Sequence, residues 1–191
     1  LPANFTIEEK EAVRKALFKK GYELLSQYGM KKLKIHDIAR AVGIAAGTFY
    51  HFFPSKDAFI SELIKARKRQ SIENFKALAS KYPKGIPFKE MKMYLLNNLN
   101  NENIYRLLSQ EDYNTLMQKF DLSQSEEETV EKTGAYIMSK LATDKTAEDF
   151  KLFSEAYKII IIGTSDLTKL NTDVLNSVSE KLVESACKFL Y

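Results

Sequence analysis

The stretch Ile35-His36-Asp37-Ile38-Ala39-Arg40-Ala41-Val42-Gly43-Ile44-Ala45-Ala46-Gly47-Thr48-Phe49-Tyr50-His51-Phe52-Phe53 decides the fold. Ile35, Ile38, Ala39 and Val42 recur at helical spacing and predict a short helix over 35–42. Gly43 breaks that helix, because glycine takes a positive φ without steric cost. Ile44 plugs a small core just after the turn, and a second short helix is expected over about 45–53. Ala39 is small where the two helices must cross closely. Two short helices joined this tightly have the anatomy of a helix-turn-helix, whose second helix fits a DNA major groove.

Working upstream, Thr6 followed by Glu9 is a capping box that starts a first helix. Val13, Leu17, Leu24 and Leu25 lie near one face of it, with Gly21 between them. Gly21 costs about 1 kcal/mol relative to alanine inside a helix, so close approach of another helix is expected there. The helix should end near Tyr28, with Gly29 left-handed. Downstream, Pro54 ends the second short helix, and Ser55 caps a long one starting at Lys56. Phe59, Ile60, Leu63 and Ile64 form its apolar stripe, and it is expected to reach about Lys81. Pro83, Gly85 and Pro87 punctuate the chain. Further helices are expected over 88–99, 102–120 (broken near Glu111-Asp112), 123–141, 146–170 and 172–190, with capping pairs Ser123/Glu126 and Thr146/Asp149. No alternating pattern demands a strand.

The charge is distributed unevenly. Residues 1–70 carry 14 Lys/Arg against 7 Asp/Glu, and residues 71–191 carry 15 against 18. A basic first third suits contact with a polyanion. The single cysteine, Cys187, excludes an intramolecular disulfide and reads as a small buried core residue. No run approaches the ~20 apolar residues that span a bilayer. The segment Leu1-Pro2-Ala3-Asn4 has no basic region followed by an apolar stretch, so no signal peptide is expected and a cytoplasmic location is. There is no Gly-rich phosphate loop, no Gly-x-Ser-x-Gly elbow and no metal-ligand spacing, so neither an enzyme nor a bound cofactor is expected. The only two histidines, His36 and His51, are far apart in sequence and have no Cys, Asp or Glu at ligand spacing, so no metal site is expected.

The run Ile38-Ala39-x-x-Val42-Gly43-Ile44-x-x-Gly47-Thr48-Phe49-Tyr50-x-x-Phe53-x-x-Lys56-Asp57 resembles the DNA-binding signature of the TetR family of transcriptional regulators. The resemblance covers Leu17 to Leu63. It implies that Thr48 and Tyr50 hydrogen-bond phosphate oxygens, and that Lys56, and Lys34 at the start of the first short helix, supply charged phosphate contacts. Family members often carry a hydroxyl residue where Lys34 stands. Base reading would fall to His36, Ala46, Gly47, His51 and Phe52. That set is poor in hydrogen-bonding groups, so groove shape and A·T-rich sequence should matter more than guanine contacts. Phe49 and Phe53 are expected in the core.

The resemblance also implies the remaining architecture. The chain should be all-α, about nine helices in total. An N-terminal three-helix DNA-binding domain over 1–55 would precede a helical ligand-binding and dimerisation domain over 56–191. Met91, Tyr94, Tyr105, Tyr113, Met117 and Tyr136 are candidates to line an adaptable effector pocket. Phe153, Tyr157, Ile160, Ile161, Val178 and Leu182, on the last two helices, are candidates for a homodimer interface. The function implied is a homodimeric repressor on a palindromic double-stranded operator, released by a small-molecule effector. A chromosome-organising protein of the same fold without an effector, and a ligand-binding protein with a vestigial head, are the alternatives.

Overall fold

The structure is a computed structural model that describes residues 5–101, 107–120, 132, 134–165 and 170–191, without the side chains of residues 101, 110 and 117. Among the described residues the chain is all-α, with nine helical elements. These are α1 (Ile7–Lys32), α2 (Ile35–Val42), α3 (Ala46–Phe52), α4 (Lys56–Lys81), α5 (Phe88–Asn101), α6 (Gln110–Lys119), a short α7 over 134–138, α8 (Ala147–Gly163) and α9 (Thr172–Cys187). The chain divides into two compact units. One lies within Leu1–Ala66 and Leu107–Phe120, the other within Arg67–Arg106 and Asp121–Tyr191.

In the first unit, α1 starts on its capping box: Thr6 Oγ1 accepts from the Glu9 amide, and the Thr6 amide donates to Glu9 Oε2 at 2.8 Å. Leu17, Gly21 and Leu25 are its buried residues, while Val13 and Leu24 are half-buried. Gly29 has φ 71° and ψ 168°. The positive φ is as expected, but ψ is extended, so α1 kinks at Gly29 and continues for one more turn to Lys32. Gly43 is left-handed, with φ 79° and ψ 26°. Its amide donates to Arg40 O and the Ile44 amide to Ala39 O, the paired bonds that close a helix C-terminus. α4 begins under a Ser55 cap, with Ser55 Oγ accepting from the Ala58 amide at 3.1 Å.

The core of this unit is aromatic. Phe59 meets Phe53 with ring centroids 4.9 Å apart and Phe49 at 5.2 Å, both edge-on. Phe18 lies 5.5 Å from Phe53. Gly21 makes room for this cluster, because a Cβ there would overlap the Phe59 ring. The Arg14 guanidinium lies 4.7 Å over the Phe53 ring and bonds Glu62 Oε2 at 3.1 Å, tying α1 to α4. α6 belongs to the same unit. It buries Leu116, and Lys119 reaches Asp57 Oδ2 at 2.6 Å.

In the second unit, α5 and α8 pack on α9. Phe75, Met91, Leu95, Leu99, Phe153, Ile160, Val183 and Cys187 share one buried cluster. Tyr157 donates to Leu95 O at 2.7 Å, and Lys92 bridges to Glu180 and Glu184 at 3.1 Å each. Further helix ends differ from expectation. α6 starts at Gln110, because the Ser109 hydroxyl caps it there by accepting from the Asp112 amide. α8 stops at Gly163, where the Thr164 hydroxyl turns back to Ile160 O at 2.7 Å. α9 stops at Cys187, and Lys188–Leu190 form turns closed on Ser185, Ala186 and Cys187. The expected capping pair Ser123/Glu126, and most of the helix expected over 123–141, lie outside the described residues.

Candidate nucleic-acid interface

α3 is held from beneath. Phe49 is fully buried in the aromatic core, and Phe53 directly after the helix is 1% exposed. At 3.6 residues per turn, 46 lies one turn before Phe49 on the anchored side, 48 and 50 fall on the flanks, and 47 and 51 face the opposite side. That side is open. Gly47, Tyr50 and His51 are exposed, and Ala46 and Thr48 are half-buried. No side chain or backbone lies within 4 Å of a Cβ built on Gly47, so a groove floor meets no obstruction there. The Tyr50 ring is 52% exposed and braced edge-on against Phe49 at 5.6 Å, which orients its hydroxyl without burying it.

α2 supplies the second wall. Lys34 is its N-cap residue; its ammonium has no lone pair to accept from the helix amides and makes no cap bond, and the side chain is exposed. His36 is exposed, with Nδ1 3.8 Å from Asp37 Oδ1. Asp37 is held by Arg40 at 3.1 Å. Asp37 is thus an acid on a surface otherwise carrying Lys34, His36 and Arg40, and an arginine already engages it.

Lys56 is placed differently from a free phosphate arm. Its Nζ donates to Met30 O at 3.0 Å and is partly buried. The ammonium therefore closes the kinked end of α1 onto the start of α4. It has two further N–H groups for a phosphate.

Phe52 is half-buried rather than free. Its ring lies tilted against Phe5, with centroids 6.1 Å apart, so the segment before α1 leans on α3. The sequence reading missed Phe5, whose only signal was an aromatic residue directly before the Thr6 cap.

The described effector candidates are divided between the two units. Met91 is buried in the core of the second unit, and Tyr94 and Tyr136 both lie edge-on to Phe75, at 5.7 and 5.9 Å. The Tyr94 hydroxyl donates to Ser71 O at 2.9 Å. Tyr113 and Met117 lie on α6 in the first unit, and the Met117 side chain is outside the described atoms. Tyr105 also lies outside the described residues.

The interface candidates all lie in the second unit and differ in burial. Phe153 and Ile160 are buried inside the chain's own core, and Tyr157 and Ile161 are half-buried against it. Val178 and Leu182 stay exposed, together with Leu152, Ile159, Ile162 and Val174. In the run Ile159–Ile162 the sequence has no period that tells inside from outside, and the structure exposes Ile159 and Ile162 while burying Ile160.

Residues 17–63 match the family model for bacterial regulatory proteins of the tetR family. The fold is similar to the solved structure of a TetR family protein from Vibrio parahaemolyticus, with TM-score 0.51 and 16% identity over 91% of this chain and 97% of that one. A second solved structure, that of superantigen PfiT, matches with TM-score 0.43 and 17% identity over 91% of this chain and 95% of that one. No curated protein matches the chain.

Proposed function

We propose that this chain, a regulator whose helix-turn-helix head is that of the TetR family, works as a homodimeric repressor released from a palindromic operator by a small-molecule effector. The single observation that carries the reading is the outer face of α3. It is bare at Gly47, carries the exposed Tyr50 and His51, and is fixed from below by Phe49 and Phe53. A helix held so rigidly, with small residues on its outer side, suits insertion into a major groove. Thr48, Tyr50 and Lys34 hold the phosphates, with Lys56 doing so from the start of α4. His36, Ala46, Gly47 and His51 meet the bases.

The exposed apolar row on α8 and α9 supports the dimer. Leu152, Ile159 and Ile162 with Val174, Val178 and Leu182 are each 45–70% exposed in the single chain. An apolar face of this kind is characteristic of a surface that another chain covers. Two copies related by a two-fold axis would join α8 and α9 into four helices and set the spacing of the two α3 helices. We assign the DNA-binding domain to residues 1–55, with Lys56 adding its phosphate contact from the first residue beyond it, and effector binding with dimerisation to residues 56–191. Cytoplasmic residence follows from work on chromosomal DNA. No described helix is long and apolar enough to cross a membrane.

The test is stoichiometry and release. Sedimentation of the protein on a selected operator should give two chains, or a multiple of two, per palindrome. Small-molecule extract of the source cells should then dissociate the complex. A single chain bound per site, or a complex indifferent to every extract fraction, contradicts the reading.

A further inference from the structure

The second unit carries a groove of about 500 Å³ that neither the DNA-binding face nor the apolar α8–α9 row uses. Its floor is Ala79 and Leu141, both buried. Its walls are the end of α4, the turn that follows, and the end of α7. They place Lys76, Lys84 and Lys140 around one concavity with Tyr82 and Tyr136. No Asp or Glu lines it among the described residues.

The ammonium groups are only partly spoken for. Lys76 pairs with Glu73 at 2.7 Å, and Lys140 lies 5.3 Å over the Tyr136 ring. Lys84 is exposed and makes no ion pair among the described residues. Each ammonium has three donors, so Lys76 and Lys140 keep N–H groups for a ligand. Helix C-termini attract single lysines. Three around one hollow, with Glu73 offsetting one of them and Glu90 hydrogen-bonded to Tyr82 beside it, still leave an excess of positive charge where a ligand fits.

The groove is also built before any ligand arrives. The Ile86 amide donates to Lys140 O at 2.9 Å, and Ile86 pairs with Leu141 in an isolated parallel bridge. Tyr191 donates to Ile86 O at 2.7 Å from the other side. The two walls are therefore pinned together, and a ligand need not order them.

We infer that this groove binds a compact polyanion carrying two or three carboxylate or phosphate charges. Lys76, Lys84 and Lys140 hold the charges, and the Tyr82 and Tyr136 rings flank its body. The assignment does not rest on the repressor reading, since binding is measured without DNA.

The test is titration calorimetry of the full chain with inorganic pyrophosphate and, separately, with citrate, at about 50 mM salt where screening is weak. One site per chain is expected for at least one of them, and the anion that binds names the charge carrier. The double reversal Lys84→Glu/Lys140→Glu should weaken binding by about tenfold or more, as two attractions become repulsions. The single change Lys84→Gln, which disturbs only an exposed side chain, should weaken it several-fold. Lys34→Ala/Lys56→Ala, on the DNA-binding head, should leave it intact. No saturable heat with either anion overturns the inference. So does binding that survives the Lys84 changes or is abolished by the head variant.

Discussion

A Cβ on Gly21 would enter the space of the Phe59 ring, and that ring is held between Phe49 and Phe53. Alanine would normally gain about 1 kcal/mol over glycine inside a helix. Overpacking a filled core costs about 1–3 kcal/mol. The balance should therefore fall toward loss: Gly21→Ala is expected to lower the denaturant midpoint of unfolding, and Gly21→Val to lower it further. Cys187 gives a second test at this scale. Burial pushes its thiol up to about 12, with the nearby Lys92 opposing the rise and Glu184 adding to it. A thiol raised this far is almost wholly protonated at neutral pH and is a poor nucleophile. Folded protein should resist iodoacetamide at pH 8, and denatured protein should react at once.

At the scale of elements, α2 and α3 were legible because local chemistry settles them. Ile35, Ile38, Ala39 and Val42 set a period, Gly43 sets the turn, and the observed α2 spans Ile35–Val42 as expected. Capping read equally well at Thr6 and Thr146, where hydroxyl and carboxylate act within three residues. What stayed hidden depends on partners distant in sequence. Lys56 reads as a free cation, yet its ammonium rests on Met30 O. Ile159–Ile162 has no polar residue to mark its outer face, so only packing tells that Ile160 is buried and Ile159 and Ile162 are not. α6 reads as one more helix of the C-terminal region, yet it packs with the head.

The prediction for the α2–α3 element follows from which groups are free. Lys34→Ala should weaken DNA binding uniformly across sequences and lower the salt slope by about 0.9, the value for one fewer phosphate neutralised. Tyr50→Phe removes an uncharged donor to phosphate, so affinity should fall with the slope unchanged. Fluorescence anisotropy at several salt concentrations separates the two. Equal slopes for Lys34→Ala and the unaltered protein would remove Lys34 from the set of phosphate ligands.

At the scale of the whole molecule, α8 and α9 carry six exposed large apolar residues among those described. Ile159 is 70% exposed and Leu182 is 45% exposed. Ile159→Glu/Leu182→Glu places four charges across a two-fold interface and removes none of the protomer's buried residues. The variant should sediment as a folded monomer with an unchanged circular dichroism spectrum. Its operator affinity should drop by orders of magnitude, because the two heads no longer bind as one unit. A variant that remains dimeric would place the interface elsewhere.

The measurement closest to the central claim is enrichment of fragments of the source genome by the purified protein at near-physiological salt, run beside its Tyr50→Ala/Lys34→Ala variant. A dimeric operator-binding regulator predicts one palindromic motif near one or a few promoters, with half-sites about one helical turn apart or somewhat more, and loss of that enrichment in the variant. Motifs scattered across the genome, or enrichment that the variant retains, would contradict it.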